Sequence, residues 1–257
     1  MTDTKTLVLV GAGPRMGLSI ATVFGAKGFR VALISRSRRK LDPMVARLRE
    51  LGVDADAFPA DVTDAPATTA AFDEIKKRYG RIDVMIYNPA PDFREGLVPI
   101  ADALDVTVEN TAPWVDIRIN GMITAVRQVL PDMRAAGTGT ILIVAGGSAI
   151  DPAPALGNAG LVSGAQRHWA VNLHKSLDGS GVHVAFTGIS GIIGTGGPKS
   201  DPDEIAPFFW DVYTAGTGAE HVYRIPFTPE TAAFVAAMRA EADRALAARA
   251  GDTADRS

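Results

Sequence analysis

The chain has no cysteine among its 257 residues. Disulfides, a thiol nucleophile and thiolate metal sites are therefore excluded. Its four histidines, at 168, 174, 183 and 221, lack the close spacing of a zinc site, so no metal is expected. No Ser-His-Asp order is assignable. No apolar run approaches the roughly 18–20 residues that a membrane helix needs. The net charge is only −3, which gives no reason to expect nucleic acid or an anionic membrane as a partner. Tyrosine is scarce, with none between Tyr87 and Tyr213. The first strand pattern starts within a few residues of Met1, so no signal peptide is expected and a cytoplasmic protein is.

What is present is led by a strand, a glycine turn and a helix in that order. Leu7-Val8-Leu9-Val10 reads as a buried parallel strand, followed by Gly11-Ala12-Gly13-Pro14-Arg15-Met16-Gly17. Apolar residues then recur at helical spacing from Leu18 to Phe24. Glycines let the backbone approach a pyrophosphate, and the unpaired N–H groups that open a helix bind it. The alternative is an ordinary tight turn. The flanking strand and helix favour the dinucleotide site, with Gly11, Gly13, Arg15, Met16 and Gly17 as its first residues.

The same alternation continues along the chain. Strands are predicted over 5–10, 30–34, 53–58, 82–87, 139–145 and 182–187, with a seventh near 221–225. Helices are predicted near 15–27, 38–51, 64–79, 111–136 and 156–178. Such a rhythm implies one doubly wound α/β domain, a Rossmann fold over 1–248, with parallel strands in the order 3-2-1-4-5-6. Pro131 suggests a kink or a second short segment within the 111–136 stretch. Glycines and prolines break the rhythm over 188–227, where a loop and small helices closing over a substrate are expected. A last helix is expected over 228–248 and a polar tail over 249–257.

The end of the second strand bears on cofactor choice. An acidic residue there would accept from the adenosine ribose 2′-hydroxyl; this chain has Ser35-Arg36-Ser37-Arg38-Arg39-Lys40 instead. A solvated basic face is one reading. Cations at the start of a helix oppose its dipole and favour an anionic partner, and Arg36 with Ser35 suits a 2′-phosphate. NADP(H) is therefore the expected cofactor.

Over about residues 5–195 the chain resembles the short-chain dehydrogenase/reductase superfamily. Val10-Gly11 and Gly17 match its first motif, with Arg15 in place of the middle glycine. Asp61-Val62-Thr63 resembles its adenine-contacting pair. Tyr87-Asn88-Pro89-Ala90 resembles the segment ending strand four and keeps Asn88 and Ala90. Ile119-Asn120-Gly121, with Leu130-Pro131-Asp132-Met133, resembles the helix that carries the family's catalytic Asn. The resemblance implies cofactor contacts at Asp61, Val62, Asn88 and Ala90, a small-molecule substrate, and a homodimer or homotetramer built on the 111–136 and 156–178 helices. Arg167, His168 and Trp169 are then read as interface residues.

The resemblance also implies a Ser, a Tyr and a Lys that perform the chemistry, and these are missing. The Tyr position falls on Ala159, the Lys position on Ser163 and the Ser position on Gly146. Of that tetrad Asn120 is what stays, either in catalysis or holding a helix distortion. Ser148 is the other candidate donor, its alternative being a cap at the strand end. Tyr213 and Trp210 either enter the pocket from the 188–227 segment or form a core stripe. The expected function is hydride transfer with NADP(H) without the phenol acid. The alternatives are a non-redox cyclase, lyase or isomerase, and a silent partner subunit.

Overall fold

The computed structural model describes residues 4–90, 98–195, 197–229 and 231–233. The expected tail, and the expected last helix from residue 234 onward, lie outside the described residues. Seven strands form one sheet: β1 (Thr6–Val10), β2 (Arg30–Ser35), β3 (Ala55–Pro59), β4 (Val84–Tyr87), β5 (Gly139–Gly146), β6 (Val182–Ser190) and β7 (Glu220–Arg224). Their order is β3-β2-β1-β4-β5-β6-β7 and every pairing is parallel. The strand–helix alternation specifies this order, because right-handed crossovers leave few other solutions. The seventh strand, expected near 221–225, adds parallel to β6.

Helices cover both faces. α1 (Met16–Ala26), α2 (Arg38–Glu50) and α7 (Pro202–Ala215) pack one side of the sheet. α3 (Ala65–Tyr79), α5 (Gly121–Ala136) and α6 (Gly157–Ser176) pack the other. β1 and β4 are buried along their whole length, which explains their uninterrupted apolar runs.

Two expectations need correction. The predicted 111–136 helix divides at a π-helical turn, Asp116–Asn120, between α4 (Val108–Val115) and α5. α5 then runs unbroken through Pro131, whose position along the chain does not mark the division. A π turn adds a residue to the helical repeat and so shifts which side chains face inward. The second correction concerns 188–227. Residues 202–215 form one helix, α7, and its aromatics serve the core. Trp210 and Tyr213 meet Phe24 at ring distances of 5.3 and 5.7 Å. Lys5 Nζ donates to the Tyr213 hydroxyl at 2.8 Å. Lys5 precedes β1, so Tyr213 stands at the end of the sheet opposite the glycine turn and not in a pocket.

Candidate active site

The carboxyl ends of the parallel strands bring the predicted cofactor residues to one edge. After β1 the chain reverses at Gly11, whose φ is +79°. A Cβ there would stand 2.3 Å from the backbone nitrogen of Pro89, so only glycine fits between β1 and the end of β4. The Gly11 and Ala12 amides both donate to the Ile34 carbonyl at 2.9 Å, and the Asn88 amide donates to the Val10 carbonyl at 2.8 Å. These bonds lock the turn to β2 and β4. A Cβ on Gly13 would meet nothing within 4 Å, so the turn faces open space there. α1 opens at Met16 with no side-chain cap and no acidic residue in its first turn. A cradle of this kind leaves amides free for an anion.

The remaining cofactor candidates border the cradle. Ser35 ends β2, and its carbonyl accepts from the Ala60 amide at 3.1 Å. Arg36 follows, exposed, with no hydrogen bond or ion pair among the described residues. Arg38, by contrast, pairs with Asp42 at 3.6 Å. Asp61 is half-buried, and its Oδ1 accepts from the Thr63 amide and hydroxyl at 3.0 and 2.8 Å, which fixes the bend after β3. Val62 is buried beside it, Asn88 is half-buried and Ala90 is exposed. These residues fit a dinucleotide: an open glycine turn for the pyrophosphate and an unpaired cation at the end of β2.

The candidate chemical residues do not converge in the same way. Ala159 and Ser163 lie on the buried face of α6. Ala159 packs with Val98, Trp114 and Val162 in a small apolar cluster. Ser148 sits in the turn after β5, half-buried, and packs against Gly160, where an added Cβ would lie 3.6 Å from that of Ser148. Its hydroxyl has no partner among the described residues. Asn120 does not join this group. It is exposed at the end of the π turn, and its Nδ2 donates to Asp116 at 2.9 Å. Tyr87 is buried; its phenol donates to the Ile117 carbonyl, and burial pushes its pKa far above the ordinary value. Its hydroxyl is committed to that carbonyl.

Two polar residues matter more than their sequence context suggests. Asn158 is fully buried at the start of α6 and acts as a clasp. Its Nδ2 donates to the carbonyls of Pro99 and Asn110 at 3.0 and 2.8 Å, and its Oδ1 accepts from the amides of Ala101 and Ala159 at 3.1 and 2.8 Å. Arg118 is the inward-facing residue of the π turn, 8% exposed. Its Nη1 donates to the Val144 carbonyl at 3.0 Å and lies 3.5 Å from Gln166 Oε1, while Nε has no partner. Burial lowers the guanidinium pKa to about 10. The signal for Arg118 is the buried stripe Trp114, Arg118, Met122, Val126, Val129 and Met133, in which it is the one cation.

The proposed interface residues are engaged within the chain. Arg167 pairs with Glu220 of β7 and Trp169 packs against the core, leaving His168 exposed. Asp151, on the turn after β5, pairs with Arg224 at 2.8 Å. No metal-binding cluster and no membrane-spanning helix occur among the described residues.

The short chain dehydrogenase family model matches residues 5–197, three-quarters of the chain. The chain belongs to that family. A Streptomyces coelicolor protein named as a ketoacyl reductase is 29% identical over 197 residues, 73% of this chain and 68% of that one. The 2,3-dihydro-2,3-dihydroxybenzoate dehydrogenase of Bacillus subtilis is 26% identical over 223 residues, 86% of this chain and 78% of that one. An actinorhodin polyketide ketoreductase variant solved with NADPH superposes with a TM-score of 0.77 at 21% identity, covering 88% of this chain and 97% of that one. L-Sorbose reductase from Gluconobacter frateurii, solved with NADPH and L-sorbose, gives 0.76 at 19% identity, covering 87% and 95%. At such identities the superpositions establish the fold.

Proposed function

We propose that the protein binds NADP(H) and transfers hydride to a small organic substrate without the phenolic acid usual in its family. The observation that carries the cofactor choice is Arg36. It is an exposed guanidinium with no partner among the described residues, at the end of the strand beside an open glycine turn. Bidentate hydrogen bonding suits a guanidinium to a phosphate monoester. The NADPH in the two solved relatives supports the same reading. When bound, the reduced nicotinamide supplies hydride.

The residues of the chain set the rest of the chemistry. The amides opening α1 hold the pyrophosphate, Arg36 and Ser35 hold the 2′-phosphate, and Asp61, Val62, Asn88 and Ala90 border the remaining nucleotide. Ala159 puts a methyl group where a phenol would stand, in an apolar cluster. Ser163 brings no charge to the position where the family's Lys would sit. Ser148, whose hydroxyl is free, is the proposed donor to a developing oxyanion. Asn120 is left out of the chemistry because its amide is bonded to Asp116 on the exposed side of the π turn. Substrates with built-in activation, such as iminium ions and conjugated enones, suit this site better than plain ketones.

The test is calorimetric titration of NADPH and NADH against the protein and Arg36→Ala. Loss of one charge-assisted phosphate contact costs about 1.5–3 kcal/mol, tenfold or more in affinity. NADPH is expected to bind more tightly than NADH, and the substitution to erase the difference. Equal affinities unchanged by Arg36→Ala refute the assignment and leave the basic run a solvated face.

A further inference from the structure

The glycine turn is tied to a distant loop through Arg15. This side chain does not cap α1. It crosses instead to the loop after β6, where Nη2 donates to the Ile193 carbonyl at 2.9 Å, 178 residues away in sequence. The next residue is Gly194, with φ +83°, and a Cβ there would stand 1.9 Å from Nη2. The guanidinium therefore occupies space that a side chain on the loop would fill. Arg15 makes no ion pair among the described residues. A guanidinium has several N–H donors in a planar fork, and one carbonyl engages few of them.

The anchoring of the loop is uneven. Its far side is pinned: the Gly194 amide donates to the Ser200 carbonyl at 2.7 Å, and Ser200 is buried. The Ser19 hydroxyl donates to the Asp203 carboxylate at 2.6 Å, joining α1 to the start of α7, and the Tyr223 hydroxyl donates to the Lys199 carbonyl at 3.2 Å. Arg15 joins the near side, at Ile193, to the cradle itself. A cation at that point faces two acceptors: a neutral carbonyl on the loop and, once a dinucleotide occupies the turn, a pyrophosphate dianion.

We propose that Arg15 is a positioning residue that couples pyrophosphate binding to the order of the 191–195 loop. Resting on the dinucleotide reading above, it holds phosphate and the Ile193 carbonyl together. Cofactor charge immobilises the guanidinium, and the guanidinium fastens the loop at the mouth of the cleft. The coupling is reciprocal, so the loop contact also strengthens cofactor binding. It assigns a use to an arginine that interrupts a glycine motif, and to Gly194 as its seat.

Amide hydrogen exchange over residues 191–195, with and without saturating NADPH, tests the coupling. In the unaltered protein, NADPH is expected to slow exchange there by about tenfold or more. Arg15→Ala is expected to weaken NADPH binding by about tenfold, and at saturation to leave loop exchange within about twofold of the ligand-free rate. Arg15→Lys keeps the charge on a single ammonium, so it is expected to retain most of the affinity and lose most of the protection. Equal protection in Arg15→Ala, or faster loop exchange on NADPH binding to the unaltered protein, overturns the coupling while leaving the cofactor assignment intact. Absence of NADPH binding by calorimetry overturns the dinucleotide reading and the coupling with it.

Discussion

The two halves of the carboxyl edge are built differently. Around β1 and β2 the groups suited to a ligand are unengaged: the turn at Gly13 faces open space, α1 starts uncapped, and Arg36 has no partner among the described residues. Around β5 and α6 the polar side chains are mostly tied to the protein itself. Asn158 makes four bonds to neighbouring backbone, Arg118 donates to Val144, and Arg167 pairs with Glu220. On α6 the methyl of Ala159 packs in an apolar cluster. On the proposed reading, cofactor binding and acid catalysis are separable, because the two depend on different strands.

The contrast is open to attack at several points. Asn158→Ala strikes the internally bonded half. Two backbone carbonyls and two amides lose a partner, two of those bonds wholly buried, and a cost of about 3 kcal/mol or more is expected in chemical denaturation. NADPH affinity of the folded fraction should be little changed. A comparable fall in affinity would show that the two halves are not separable.

Arg118→Met probes the same half with the opposite sign. A guanidinium lowered by burial to about 10 stays charged at neutral pH, at a cost that the unfolded chain does not carry. The folded state carries that cost in full below pH 10, and it is relieved as pH rises through 10 toward the ordinary arginine range. Methionine fills similar volume without charge, so a gain of about 1–3 kcal/mol at neutral pH is expected. A loss of that size would mean that the guanidinium serves a counter-charge.

A smaller effect should appear at the far end of the sheet. His183, buried at the start of β6, has its pKa lowered by burial and by the neighbouring His174 and His221, although its Nε2–H donates to the Gly218 carbonyl. Above the ordinary value of 6.5 the ring is neutral in both states and contributes nothing. As pH falls below 6.5 the unfolded chain takes up the proton first, so stability declines until the folded-state pKa is passed. Glutamine places an amide N–H where Nε2–H was. In His183→Gln this part of the decline should vanish in denaturation curves taken from pH 8 to 5, with cofactor affinity unaffected.

Much of the fold was legible because the apolar runs of β1, β2 and β4 leave no choice but a sheet buried on both faces. The glycine turn was legible for a local reason: Gly11 must pass within contact of Pro89. The division of the 111–136 stretch was not, because a π turn leaves no compositional mark and Pro131 lies well beyond it in the chain. That turn places Arg118 inward and leaves Asn120 exposed. Within the stripe from Trp114 to Met133 the helical phase assigns Arg118 to the interior, and the motif match to Asn120 concealed it. The role of Tyr213 was ambiguous for a different reason, since an aromatic on a glycine-bounded helix fits a pocket or a core. Phe24 decides it.

The central claim, cofactor binding without the phenol acid, is tested most directly by NADPH absorbance at 340 nm across a panel of ketones, conjugated enones and iminium ions. The unaltered protein and Ser148→Ala are compared. Oxidation is expected with the activated classes and not with plain ketones, and Ser148→Ala should slow it by about tenfold or more. Rapid turnover of plain ketones would contradict the account, because it requires an efficient acid that this arrangement of Ala159, Ser163 and Ser148 does not provide. Tight NADPH binding with no oxidation by any class would contradict it equally, and would leave the fold with a non-redox or silent role.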